Sequence, residues 1–435
     1  MTTPTIDSGM VTRVGASVAR TIARTIVRPL AVAAVAAVAG LAVAVAPAGP
    51  GVAPLAAQER LLGARSVGLG ATYELWRFGD ELPQPSLGGA EVRLRRVSQL
   101  SVPVTALVPI GTRFTVDVGT GFATGEVTLD GADEAGRTSW SLAGPTDTKV
   151  RLTGRLSGDN VLFTLGANLP TGSVDLDEEE YDAARVLAAP ALGFAVPVLG
   201  NGTGFTAGLV AARQLGGVSV ALGASYELRT SYSPVGVVAG LPALDYNPSD
   251  AVRVSLMGDA LVGRGQMTFG LSVDAFGEGE ITTDEDVGTT TGNTLQLGPV
   301  LTGEWHWRVP TQRFKTLQLS VVDRYRTKYE RDDASVEGSA ANYLDVGLDA
   351  LLPLSPRTNL VLGLNARHHT GLDSDNTIAA AAFAGGGLTF GLAHDFGGGY
   401  IVQPLVRAQL GRIETAGNSS SANGIGGGVV LSRKF

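Results

Sequence analysis

Cysteine is absent from the whole chain. That absence excludes disulfides, thiolate metal sites, cysteine nucleophiles and a lipid-modified N-terminal cysteine. Histidine is nearly absent: four occur, two of them adjacent at His368 and His369, so neither a metal nor another cofactor is expected. Charge is thin as well, 17% of residues against about 25% in ordinary soluble domains. Beyond residue 60 no apolar run approaches the roughly 18 residues that a helical membrane span requires. What the chain has in excess is glycine, 59 of 435 residues, about twice the usual share of about 7%. Such a composition suits many strands joined by turns.

The first 57 residues form a segment of their own. Arg13, Arg20, Arg24 and Arg28 precede the apolar run LAVAAVAAVAGLAVAVA (30–46), and Pro47, Pro50 and Pro54 follow it. Basic, apolar and small-residue regions in that order are those of an export signal, and the run is barely long enough to be a permanent anchor. Residues 1–57 are therefore expected to be a signal peptide cut near Ala57, with 58–435 as the exported domain. That domain carries 29 basic and 40 acidic side chains, a net charge of about −11. Nucleic acid, which needs a basic surface, is not an expected partner.

The recurring unit of the exported part is a segment of about ten residues with period-two alternation, the pattern of a membrane β-barrel. In residues 294–308, Leu295, Leu297, Leu301, Trp305 and Trp307 share one face, against Gln296, Thr302, Glu304, His306 and Arg308. In 342–354, Leu344, Val346, Leu348, Leu352 and Leu354 oppose Tyr343, Asp345 and Asp349. Seven short turns (110–113, 157–160, 215–217, 263–266, 310–313, 355–357 and 396–399) alternate with eight longer polar loops. The loops fall near 79–91, 130–146, 171–202, 233–249, 280–293, 331–341, 371–377 and 413–423. Fifteen connections imply 16 strands; 14 is the alternative, because the segments near 90–108 and 379–395 are harder to delimit. The expected fold class is all-β, a transmembrane antiparallel up-and-down β-barrel, with an even strand count and both termini on the periplasmic side.

Strand parity nominates residues lining the lumen. They are Lys149, Arg151 and Arg155 on the fourth strand, then Glu227, Arg229, Arg253, Asp259, Asp274, Glu304, Arg324 and Arg326, with Asp345 and Asp349 on the twelfth strand, and Arg367 and Arg407 beyond. In a ring of 16 the fourth and twelfth strands lie opposite, so a basic wall would face an acidic one. The competing arrangement pairs Asp345 and Asp349 with Arg324, Arg326 and Arg367 on adjoining strands. In the longest loop, DLDEEEYDAARVLAAP (175–190) has the acidic start of a short helix. That helix either lies in solvent outside the barrel, the simpler reading, or folds in and constricts the pore.

The chain ends in GGGVVLSRKF (426–435), with Val429, Leu431, Arg433 and Phe435 on one face. This alternation resembles the C-terminal assembly signal of Gram-negative outer-membrane barrels, which implies assembly roles for Leu431 and Phe435; Arg433 stands where an apolar residue is usual. LGANLPTG (165–172) and the general layout are similar to outer-membrane transporters of hydrophobic compounds, the FadL and phenol-degradation-pathway families. Only about eight residues separate Ala57 from the first strand, too few for the N-terminal hatch of FadL-type proteins. The expected function is a channel for diffusion or uptake of small solutes through a polar, charge-lined lumen. The alternatives are a FadL-like transporter of hydrophobic compounds, and a barrel with an adhesive, structural or hydrolase role. An enzyme is not expected, because His368 and His369 point to opposite faces and no serine–histidine signature accompanies His394. The partners expected are outer-membrane lipid, the barrel-assembly machinery and small solutes.

Overall fold

A computed structural model describes residues 65–435 except 88, 90, 157–159, 236–242, 285–289, 372–377 and 416–417. The signal peptide expected at 1–57 lies outside the described residues, as does most of the turn at 157–160 and of the loop at 371–377.

Antiparallel strands close into one 16-strand ring. In chain order they are β1 (Ser66–Pro85), β2 (Glu91–Ile110), β3 (Phe114–Leu129), β4 in two pieces (Ser139–Pro145 and Thr148–Arg155), β5 (Val161–Leu169), β6 (Gly204–Leu215), β7 (Val218–Arg229) and β8 (Ala251–Val262). The ring continues with β9 (Gly265–Phe276), β10 (Val300–Val309), β11 (Thr316–Arg326), β12 (Ala341–Ser355), β13 (Thr358–His369), β14 (Ala382–Gly397), β15 (Tyr400–Thr415) and β16 (Asn418–Lys434). Both pieces of β4 pair with β3, so they count as one strand. The ring closes where β16 pairs with β1, from Ser66 opposite Lys434 to Phe78 opposite Ala422. The Phe435 N–H then donates to the Arg65 carbonyl at 3.0 Å. The turn ends of the hairpins are tight: Gly216 and Gly263 open two-residue connections at φ 61° and 63°, the left-handed geometry that such hairpins require.

The alternation in the sequence becomes the two sides of this ring. Leu165, Phe205, Leu271, Leu364, Leu388, Val406, Leu410 and Ile425 share one parity and are exposed. The other parity meets the chain's own loop, which bonds to β1 and β2 and shares a cavity with β12–β15; only the concave side of a ring offers all of these at once. Apolar outside and polar inside make the ring a transmembrane barrel. Outward charges such as Asp323, Arg412 and Glu414 sit near the external strand ends, where the penalty for a charge facing lipid falls to about 0–1 kcal/mol. Arg433 lies outward near the opposite rim, its guanidinium 4.4 Å from the Tyr400 ring and 4.1 Å from the Phe435 ring. Two aromatic faces shield that cation.

Two expected loops are largely strand. Residues 79–91 belong mostly to β1 and β2, and 413–423 mostly to β15 and β16. Their prolines, glycines and serines read as loop signals, but the hairpins run beyond the membrane and their inner faces are covered from within. A register shift between Arg77 and Leu82 accommodates Pro83 and Pro85. The loops 233–249, 280–293 and 331–341 contain short strands of a second, six-stranded sheet, including Tyr232–Val235, Ala243–Asn247, Gly279–Asp284 and Thr290–Gln296.

The apolar core lies inside the external half of the barrel. Trp76, Val97, Val127, Trp140, Leu142, Phe383 and Ile413 of the wall pack against Val186, Leu187, Leu192 and Phe194 of the long loop, with Ile378 between strands β13 and β14. Glycines on the inner face make room for the large rings: a Cβ on Gly424 would stand 3.1 Å from the Trp76 ring, and one on Gly411 would stand 2.6 Å from Phe383. Gly411→Ala should therefore lower the thermal unfolding midpoint in detergent, by an overpacking cost of about 1–3 kcal/mol. Gly427→Ala, on the outer face with nothing nearer than 3.5 Å, should not. Equal midpoints for the two variants would contradict this account of the core.

Candidate functional site

The loop between β5 and β6 determines what the lumen can do. It holds one helix, α1 (Glu178–Leu187), whose start is a capping box: Asp177 accepts the Glu180 N–H at 2.8 Å, and Glu180 accepts the Asp177 N–H at 3.2 Å. Three glutamates in the first turn complement the positive end of the helix. The helix and its acidic start are where the sequence placed them. Its surroundings differ from the simpler reading, because Asp182, Ala183, Val186 and Leu187 are buried against the wall. Apolar residues at 183, 186 and 187 form a face that solvent would not stabilise. A Cβ on Gly125 of β3 would stand 2.4 Å from Leu187, so the helix rests directly on the strand backbone. Arg137 bridges Asp133 and Glu178, and Ser141 donates to Glu179 through both N–H and hydroxyl.

Beyond the helix the chain descends. The Trp76 indole donates to the Leu192 carbonyl at 3.0 Å, and Gln99 clamps Val196 by donating to its carbonyl at 2.6 Å and accepting its N–H at 3.2 Å. The neck of the loop is tied at Asp147, in the break of β4. Its carboxylate accepts from Gly172 N, Asn201 N and Asn168 Nδ2 at 3.0, 2.7 and 2.8 Å, and its own N–H donates to the Leu199 carbonyl at 2.8 Å. Asp147 and Asp182 were not singled out in the sequence. The change of parity between Trp140, Leu142 and Lys149, Arg151 was a legible signal of the break.

Asp182 is the second fastening. Both carboxylate oxygens accept the Leu87 N–H, at 2.9 and 3.1 Å. Burial pushes its carboxyl up to about 6 from 3.8, against the Leu87 N–H and Arg185, which hold it down.

The space left by the loop carries many charged side chains. On the β3–β9 wall a cavity of about 1070 Å³ is lined by Asp117, Lys149, Arg151, Glu227, Arg229, Arg253 and Asp274 among others. Three ion pairs cross it or lie along it: Arg151–Asp117 at 2.6 Å, Arg229–Glu227 at 3.0 Å, and Arg253 with Asp274, Nη2 to Oδ2 at 3.0 Å. A second cavity, of about 340 Å³, is lined by Gly193, Asp349, Asn365, Arg367, Thr389, Arg407 and Gln409 among others.

All fifteen nominated lumen residues occupy the inward parity, and the two cavities bring together nine of them. Arg155 lies opposite Leu162 near the turn end. Asp259 accepts from Gln266 and Thr268 at 2.8 and 3.0 Å, and Glu304 stands 3.8 Å from His306. Arg324 and Arg326 face inward opposite Thr302 and Val300. Asp345 is opposite Arg367 in the ladder, and its ion-pair contact is His369 at 3.4 Å. Arg367 gives Nη2 to Gln409 at 2.6 Å, stacks on Phe383 and Trp76, and Arg407 gives Nη1 to Glu74 at 3.2 Å. β4 and β12 do stand opposite in the ring, but Arg151 is neutralised by Asp117 on β3. Leu431 and Phe435 are on the outer face and exposed.

No family model and no curated protein matches the chain. Solved structures do. A TodX monoaromatic hydrocarbon channel mutant is 11% identical over 86% of this chain and 91% of its own, with a TM-score of 0.42. A Pseudomonas aeruginosa FadL homologue is 10% identical over 85% and 90%, with a TM-score of 0.39. An outer-membrane channel from Pseudomonas putida F1 is 13% identical over 89% and 100%, with a TM-score of 0.34.

The Asp182 anchor makes loop docking pH-dependent. A carboxyl with a raised pKa favours the docked state most below about pH 4, and that contribution, at most about 3 kcal/mol, is lost as the pH rises through 6. Amides of 178–192 should therefore exchange more slowly at pH 4.5 than at pH 7.5 after correction for intrinsic rates, and Asp182→Asn should flatten the difference. Equal protection of the wild-type loop at both values would refute the anchor.

Proposed function

We propose that the chain is an outer-membrane channel through which small polar solutes diffuse, narrowed from the external side by its own infolded loop. The observation that carries this reading is the charged cavity of about 1070 Å³ along the β3–β9 wall, beside the loop. A 16-strand barrel encloses more space than its wall side chains fill, and the lining of this cavity sets four cations and three carboxylates among apolar groups such as Leu209, Val210 and Phe276. The N-terminal pattern and the barrel architecture, which occurs in outer membranes, support an exported location. The reading is not enzymatic: His394 shares a 2.8 Å hydrogen bond with Thr358 on the outer parity, while His368 and His369 lie on opposite faces.

A second reading is a transporter of hydrophobic compounds, the kind of solute for which the TodX monoaromatic hydrocarbon channel is named. It is favoured by the apolar packing under the loop, because withdrawal of Leu187, Leu192 and Phe194 would uncover Trp76, Trp140 and Phe383. Liposome swelling separates the two. On the polar reading sugars and amino acids permeate, and removal of residues 175–197 raises single-channel conductance several-fold. Exclusion of every polar solute, with uptake of an aromatic hydrocarbon, would replace it by the second reading.

A further inference from the structure

The second cavity sits at mid-depth, beneath Gly193 of the loop. Four strands meet there in one lateral row: Asp349 of β12 is opposite Gly363 of β13, Gly363 opposite Thr389 of β14, and Thr389 opposite Arg407 of β15. A carboxylate and a guanidinium thus stand three strand spacings apart, roughly 14 Å between Cα atoms. Between them the floor is a glycine without a side chain and a threonine hydroxyl. The next row towards the outside supplies Asn365 and Gln409 on either side of Gly387, and Arg367 donates to Gln409 above them.

The two end charges are engaged differently: Asp349 has no ion-pair partner among the described residues, whereas Arg407 pairs with Glu74 of β1. Asp349 accepts no hydrogen bond among the described residues and faces the cavity, where it is exposed. Arg407 places one N–H on Glu74, leaving others of its five donors free. Arg407 reaches over Gly426 towards Glu74 of β1; turned instead towards Thr389, its guanidinium would leave a gap of about 5–9 Å to the Asp349 carboxylate. A carboxylate and an ammonium on one small molecule, each held at about 2.9 Å, bridge roughly 8 Å. A simple anion satisfies only the guanidinium, and a simple cation only the carboxylate.

We infer that this recess, with Asp349 at one end and Arg407 at the other, binds small zwitterions of the α-amino acid type, the ammonium on Asp349 and the carboxylate on Arg407. The cavity of about 340 Å³ holds such a molecule with several waters, each taking about 30 Å³, and excludes an oligosaccharide. The inference rests on the channel reading and gives it a preferred solute class.

The test uses the full exported chain in liposomes and in detergent. L-Serine, acetate, ethylammonium and glycerol serve as probes, with binding read by ligand-detected NMR and permeation by flux. Serine should bind more tightly than acetate or ethylammonium and show saturable flux. Asp349→Asn should weaken serine binding about tenfold, the loss of one charge-assisted hydrogen bond. Thr389→Leu fills the recess without removing a charge and should weaken serine as well, which guards against a folding defect in the first variant. Serine no tighter than the two singly charged probes, or bound equally by wild type and both variants, overturns the zwitterion site while glycerol flux stands. Absence of glycerol flux overturns the channel reading and the inference with it.

Discussion

Backbone hydrogen bonding in lipid is the constraint on which the rest of this structure depends. An unpaired N–H or C=O in the hydrocarbon layer costs several kcal/mol, so a sheet that crosses it must have no edge. Closure through Ser66–Phe78 of β1 and Ala422–Lys434 of β16 meets that demand to the last residue. It also explains why a cation is tolerated on the outer face of β16. Register fixes Arg433 outward, and the aromatic pair Tyr400 and Phe435 supplies the shielding that water would otherwise provide.

A ring of this size creates a second problem inside itself. Small barrels are filled by their own inward side chains, but sixteen strands leave a gap, and the inner face here is rich in glycine, which widens it. The long loop fills the external half of that space with an apolar plug held by polar fastenings: Asp147 at the neck, Gln99 and Trp76 below, Asp182 above. Glycines that a soluble sheet would not favour become seats for Trp76, Phe383 and Leu187. At Gly363 the missing side chain makes room for the Asp349 carboxylate and Thr389, 2.9 and 3.2 Å from where a Cβ would stand, beside the cavity that Arg407 also lines.

The architecture was legible in the sequence because each of its signals is local. Alternation, tight turns and terminal pattern all act over about ten residues, and together they fix strand number and the inward parity of residues such as Arg151 and Asp349. The loop boundaries at 79–91 and 413–423 were not legible, since proline and serine in a hairpin covered from inside look like loop residues. Nor was the direction of α1. Its apolar face at Ala183, Val186 and Leu187 required a partner, but that partner is spread over β1–β4 and a distant loop, and no short stretch encodes it. Ion pairing was legible only by chemistry: Arg151 chose Asp117 on the adjacent strand rather than the opposite wall, because cross-strand neighbours are a few ångströms apart and opposite walls are not.

Pairing of this kind shapes the electrostatics of the lumen. Arg151 with Asp117, Arg229 with Glu227, and Arg253 with Asp274 leave dipoles rather than net charge along the larger cavity, with Lys149 as an added cation. Although residues 58–435 are strongly acidic, the lining of this cavity is close to balanced. Dipoles of fixed orientation attract solutes that carry both signs and leave small neutral ones largely unsorted. On the channel reading proposed above, a dipolar solute moving along the β3–β9 wall would exchange one opposite-charge pair for the next. At the proposed recess Asp349 stands three strands from Arg407, whose own ion pair is with Glu74 on the far side of β15, so a solute bound there would take over part of that pairing.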